Sequence, residues 1–174
     1  MNFPNVQLKV GDIKDITNSE IEDINKNYLV DIIVGGPPCQ AYSSAGRARD
    51  LHGMQNDPRN FLFESYVKIL NHYQPKIFVF ENVTGILTAK VQGKSIIKQV
   101  MDALSENYNV VSDYPQMLLN SVNYGVPQER KRIYIVGSLE RKPDLDNFPV
   151  KEAKLGEILE SGMPTEDTPF IRTL

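Results

Sequence analysis

A chain of 174 residues that is 41% hydrophobic can bury one sizeable core, so a folded domain is expected. Its net charge of -3 and pI near 5.4 exclude a protein that coats nucleic acid by bulk positive charge. A single cysteine excludes an internal disulfide and a cysteine-rich zinc site, and His52 and His72 have no metal-ligand spacing, so no metal is expected. No apolar run reaches the roughly 18 residues of a membrane span, and the start "MNFPNVQLKVGD" has no signal-peptide pattern. The expectation is a cytoplasmic protein with no membrane partner.

In chain order, "TNSE" places Thr17 and Glu20 at capping-box spacing ahead of a short helix over 18–26. The apolar run 29–34 reads as a buried strand, ended by Gly35 and Gly36 and followed by Pro37, Pro38 and Cys39. Phe63, Val67, Leu70 and Tyr73 fall at spacings of three and four and predict a helix over 58–73. A second strand over 77–80 runs directly into Glu81 and Asn82. Ile97, Val100, Met101, Leu104 and Tyr108 predict a helix over 95–108, and residues 132–136 read as a third strand. Strands alternating with helices point to an α/β unit with a mostly parallel sheet, in which ligands bind at the carboxyl ends of strands. After residue 138 the pattern degrades, with Pro143, Pro149, Pro164 and Pro169. Residues 1–139 are therefore expected to form one domain, with 140–174 a linker or the opening of another region.

Three segments carry chemistry. A lone Cys after a strand is more often a small buried hydrophobe than a nucleophile. Around Cys39, however, two glycines allow a sharp turn and two prolines stiffen it, which burial alone would not require. Glu81 and Asn82 follow a strand, so in a parallel sheet a carboxyl group stands beside the neighbouring strand's end. It is either simply solvated or a positioned acid. Arg130 and Arg132 are two apart and share one face as the chain enters a strand, with Lys131 on the other. They form either a basic edge in solvent or a pair facing the cleft. The acids gather toward the two ends of the chain, and Arg47, Arg49, Arg59, Arg130, Lys131 and Arg132 lie between them. Local basic patches can thus face a phosphate backbone within an acidic whole.

Together these segments resemble the DNA cytosine-5 methyltransferase family. The resemblance rests on "GGPPCQ" at Gly35 to Gln40, Glu81 to Val83 as the Glu-Asn-Val motif, and Gln128, Arg130 and Arg132 as the Gln-x-Arg-x-Arg motif. "GDI" at Gly11 to Ile13 and "NDPRNFLF" at Asn56 to Phe63 look like two further family segments, in the family's order. The resemblance covers nearly all of residues 8–138 and implies a partial Rossmann-like domain dependent on S-adenosyl-L-methionine. It also implies methyl transfer to carbon 5 of cytosine in double-stranded DNA, in a restriction-modification system; RNA cytosine methyltransferases of the transfer-RNA type share the Pro-Cys-Gln core, and "SSAG" after Cys39 looks more like the DNA enzymes. Cys39 is the implied nucleophile, with Glu81, Arg130 and Arg132 as its catalytic companions. Asp12, Ile13, Pro38 and Leu62 are the implied cofactor contacts. Gln40, Ser43, Arg47, Arg49, Asn82 and Gln128 are the implied substrate contacts, and residues 41–57 resemble the family's mobile loop.

Two family features are absent: the Phe-x-Gly-x-Gly loop and the acidic residue that follows the second strand. Residues 1–10 contain no glycine. The chain is therefore expected to be the middle of a methyltransferase, a fragment or one half of a split enzyme with a complementary chain. Two readings follow: catalysis once the missing parts are supplied, or a non-catalytic remnant or subunit that binds DNA or a partner.

Overall fold

The structure is a computed structural model that describes residues 10–15, 29–38, 61–145 and 149–151. By internal contacts the chain divides into two units, Met1–Leu119 with Arg132–Asn147, and Asn120–Lys131 with Phe148–Leu174.

In the first unit, strands β1 (Ile32–Gly35), β2 (Ile77–Val83), β7 (Lys131–Ser138) and β5 (Asn109–Val110) lie side by side in the order β1-β2-β7-β5. β1 and β2 are parallel, pairing Ile32 with Ile77 and Gly35 with Phe80. β7 runs antiparallel to both β2 and β5. The α/β class holds, and the sheet is mixed: β7 returns alongside β2 in the opposite direction, a pairing the spacing of apolar runs does not encode.

Period-two alternation decides which side of the sheet is covered. Phe78 and Phe80 of β2 and Ile133 and Ile135 of β7 are each no more than 1% exposed. They form one core with Phe63, Tyr66 and Leu70 of α1 (Leu62–Tyr73) and Ile96, Ile97, Val100 and Leu104 of α2 (Ile96–Ser105). Two glycines let rings approach the strands closely. A Cβ on Gly35 would strike the ring of Tyr66, and one on Gly137 would strike Phe78. α1 ends at Gln74, whose left-handed backbone donates its N–H to the Leu70 carbonyl at 2.8 Å.

The element boundaries differ from the sequence expectations in instructive ways. β2 continues three residues beyond Phe80 because β7 goes on pairing with it after β1 has ended, down to Val83 opposite Arg132. Glu81 and Asn82 are thus in the strand, not after it. α2 stops at Ser105, and Tyr108, expected to close that helix, turns back onto Phe78 with ring centroids 5.0 Å apart. β1 starts at Ile32, where its partner Ile77 begins, and Leu29 is outside the strand. The helix expected over 18–26 lies outside the described residues, as do 58–60.

Between β2 and α2, a 3-10 helix (Thr84–Leu87) leads to a hairpin of β3 (Lys90–Val91) and β4 (Lys94–Ser95). Its two turn residues, Gln92 and Gly93, both have positive φ, the geometry of tight hairpin loops. A short helix α3 (Tyr114–Met117) and strand β6 (Leu118–Asn120) follow β5.

In the second unit, Ser121 N–H donates to the Arg130 carbonyl, and Arg130 N–H donates to Asn120 Oδ1, both at 3.1 Å. Lys151 N–H donates to the Asn123 carbonyl at 2.7 Å, beside an isolated bridge between Tyr124 and Lys151.

Candidate active site

The site is built where β1 and β2 end. Because they are parallel and Gly35 lies opposite Phe80, the next residue of β1's chain, Gly36, comes beside Glu81. The approach is close: a Cβ on Gly36 would stand 3.0 Å from Glu81 Oε2. Only glycine leaves that carboxylate its present position without a push.

The second neighbour of Glu81 comes from β7. The register puts Val83 opposite Arg132 and Glu81 opposite Tyr134, so Arg132 is diagonal to Glu81 on the same face. Arg132 Nε and Glu81 Oε1 form an ion pair at 3.1 Å, with side chains 22% and 31% exposed. One carboxylate oxygen thus faces a guanidinium and the other faces the Gly36 turn.

Asn82 points the opposite way. It is 3% exposed, on the face that carries Phe78 and Phe80. Its Oδ1 accepts from the Val83 N–H at 2.9 Å, and its Nδ2 donates to the Pro37 carbonyl at 3.4 Å.

Ahead of the Gly36 turn lies a cavity of about 480 Å³. All four residues expected to hold the cofactor line it: Asp12, Ile13, Pro38 and Leu62, together with Gly36 and Tyr66. Its size falls within the roughly 300–1,000 Å³ of small-molecule sites. Asp12 is held by a short 3-10 turn, Ile13–Asp15: its Oδ1 accepts from the Lys14 N–H at 2.9 Å and its carbonyl from the Asp15 N–H at 3.0 Å. Tyr66 closes the inner wall. Its hydroxyl stands within donating distance of two strand carbonyls, Val79 at 3.1 Å and Ile33 at 3.3 Å. Burial, and secondarily the neighbouring Tyr108, raise the Tyr66 hydroxyl well above the ordinary tyrosine range.

The sequence motifs do not point to Tyr66 or to the fit of Gly36 against Glu81. Tyr66 sits at helical spacing from Phe63 and Leu70, so its burial was legible, but its reach to two strands was not.

Gln128 and Arg130 belong to the second unit, and Glu81, Asn82 and Arg132 to the first. Gln128 N–H donates to the Val126 carbonyl at 2.8 Å, its own carbonyl accepts from Ser121 Oγ, and its side chain and that of Arg130 are exposed. Arg130 precedes β7, which starts at Lys131, so strand alternation does not relate it to Arg132. Lys131 pairs with Glu129 at 3.0 Å. Cys39, Gln40, Ser43, Arg47 and Arg49 lie outside the described residues. Among the described residues, no group of three or more His, Cys, Asp or Glu side chains could hold a metal ion, and no helix is long and apolar enough to cross a membrane.

The family model for C-5 cytosine-specific DNA methylases matches residues 1–170. Type II methyltransferase M.NlaIV of Neisseria lactamica is 38% identical over 175 residues, 99% of this chain and 39% of the relative. Type II methyltransferase M.AquIA of Picosynechococcus is 34% identical over 79% of this chain and 56% of its own. Among solved structures, a Spodoptera frugiperda DNMT2 mutant superposes with a TM-score of 0.58 at 26% identity, over 93% of this chain and 48% of the other. The Entamoeba histolytica methyltransferase EhMeth shares the fold, with a TM-score of 0.61 at 22% identity over 93% of this chain and 47% of the other. The chain spans about two fifths of the length of M.NlaIV.

Proposed function

The chain belongs to the C-5 cytosine-specific DNA methylase family, and from that premise we propose that it forms the central part of an enzyme that methylates carbon 5 of cytosine in double-stranded DNA. The observation that carries the reading is the placement of Glu81. It stands against Gly36, three residues before Cys39, and is ion-paired with Arg132, so parts of all three motifs meet at one strand end.

The chemistry accounts for the residue types. Carbon 5 of cytosine is a poor nucleophile, and addition of the Cys39 thiolate to carbon 6 makes it enamine-like and able to take a methyl group. Glu81 holds ring nitrogen 3 and the exocyclic amine, and Arg132 gives up part of its ion pair to contact the base carbonyl or adjoining phosphate. Loss of the carbon 5 proton then expels the thiol, restoring the ring and the free cysteine. A base stacked in a duplex cannot reach these groups, so the target is flipped out, with Gln40, Ser43, Arg47, Arg49, Gln128 and Arg130 as the proposed DNA contacts.

The residues of the cavity fit S-adenosyl-L-methionine. Ile13, Leu62 and Pro38 offer apolar walls for a flat ring and Asp12 a carboxylate at the rim. When bound, that co-substrate supplies an electrophilic methyl sulfonium; no metal is required. The rest of its polar anchors come from methyltransferase segments outside this sequence, in the same chain or in a complementary one. The wider setting is a cytoplasmic restriction-modification system, in keeping with the Type II methyltransferases to which the chain is similar.

Calorimetric titration of S-adenosyl-L-methionine tests the reading. This chain alone is expected to bind weakly, by about two to three orders of magnitude relative to a protein completed with the remaining segments, since two or three polar anchors are missing. In the completed protein, Leu62→Ser and Asp12→Ala should each weaken binding. Full affinity in both variants would assign the cavity to another ligand, and a completed protein that binds DNA without methylating it would favour the non-catalytic reading.

A further inference from the structure

We propose that Asn82 is a positioning residue for the cysteine turn, not a contact to the target base, an inference that rests on the methyltransferase reading for the role of Cys39. The first ground is direction. Along β2 the side chains alternate, and Asn82 shares the covered face with Phe78 and Phe80 while Glu81 occupies the other. A group that touches the base beside Glu81 would have to lie on Glu81's face.

The second ground is satisfaction of the buried amide. Apart from tyrosines, Asn82 is the only buried polar side chain among the described residues. A buried amide needs partners for both ends, and here both are backbone. The Val83 N–H can only donate, which fixes Oδ1 toward it and turns Nδ2 toward Pro37. Oδ1 secures the place where β2 passes into the 3-10 helix. Nδ2 reaches across 45 residues of sequence to the Pro37 carbonyl at 3.4 Å, a long bond that orients more than it binds.

The third ground is the turn itself. Pro37 and Pro38 carry no N–H and have fixed φ, so these two residues offer the turn no amide to fasten it. The Pro37 carbonyl is one of the few handles left. Fixing it limits the direction in which the chain leaves Pro37, two residues before Cys39 in the sequence. The Glu-Asn-Val motif therefore serves the site from both faces of one strand: Glu81 toward the substrate, Asn82 toward the turn that carries the nucleophile.

The test uses the chain's single cysteine. Alkylation by iodoacetamide at fixed pH reports Cys39 alone, with no DNA or cofactor present. Asn82→Asp keeps the acceptor for Val83 and removes the donor to Pro37; Asn82→Ser serves the same purpose should a buried carboxylate prevent folding. In variants with unchanged circular dichroism, the alkylation rate is expected to change by about threefold or more, as thiol reactivity follows its local surroundings. An unchanged rate in a folded variant overturns the proposal whether or not the protein methylates DNA. In the completed enzyme, Asn82→Ser should lower the rate at saturating DNA by roughly tenfold or more while DNA affinity stays within about twofold. Weakened DNA binding with an unchanged saturating rate would make Asn82 a base contact and overturn it too. A protein that methylates nothing leaves the alkylation result standing, so failure of the wider reading and failure of this one are told apart.

Discussion

The two faces of the same sheet are finished to different degrees. On one, Phe78, Phe80, Ile133 and Ile135 are sealed beneath α1 and α2. On the other, the alternate residues Ile32, Val34 and Ile77 are 56%, 70% and 39% exposed, although they are as apolar as their neighbours. Parallel strands in α/β proteins are ordinarily covered on both faces. The covered face supplies the packing of the sheet, and the second face carries the Glu81–Arg132 pair beside exposed apolar side chains.

The largest effect should come from the covered face. Phe80→Ala removes a ring that is 1% exposed and is expected to cost about 3–5 kcal/mol in urea unfolding. A loss below about 1 kcal/mol would mean that the two faces do not differ in stability.

A smaller effect on the same face is set by pH. Tyr66, Tyr108 and Tyr73 all hold their hydroxyl protons more tightly than free tyrosine, chiefly through burial. Their contribution is fully present below about pH 10, where both states are protonated. Above that value the unfolded chain releases protons first, so stability falls as pH rises toward the folded values. Urea midpoints measured on either side of pH 10 should decline, and Tyr66→Phe should flatten the decline. A flat wild-type profile would contradict the packing assigned to Tyr66.

The smallest effect belongs to the second face. Val34→Thr is expected to change the stability of this chain by no more than about 0.5 kcal/mol, since the side chain is 70% exposed. In a protein completed with the remaining segments the same substitution should cost more. Equal effects in the two settings would show that nothing covers this face.

Much of this was legible in the sequence because it follows from periodicity and from motif chemistry. Spacings of three and four announced α1 and α2, and the apolar runs announced β1, β2 and β7. Asp12, Ile13, Pro38 and Leu62, chosen from motif resemblance, do line one cavity. Pairing direction was not legible: no residue in 131–138 says that β7 runs antiparallel, and without it the extension of β2 through Glu81 and Asn82 and the diagonal placement of Arg132 cannot be derived. The face taken by Asn82 was hidden for the same reason. Once the strand reaches Val83, alternation sends Asn82 onto the covered face with Phe78 and Phe80, opposite to Glu81. The relation of Arg130 to Arg132 also depended on where β7 begins, a boundary fixed by pairing and not by composition.

The most direct measurement is covalent trapping on a DNA duplex carrying 5-fluorocytosine at the methylated position, using the completed protein. Fluorine at carbon 5 cannot leave as a proton does, so the thiol adduct persists after methyl transfer. The expected result is an adduct, stable to denaturing electrophoresis, that requires S-adenosyl-L-methionine and disappears in Cys39→Ala. An adduct that forms equally in Cys39→Ala would rule out Cys39 as the nucleophile.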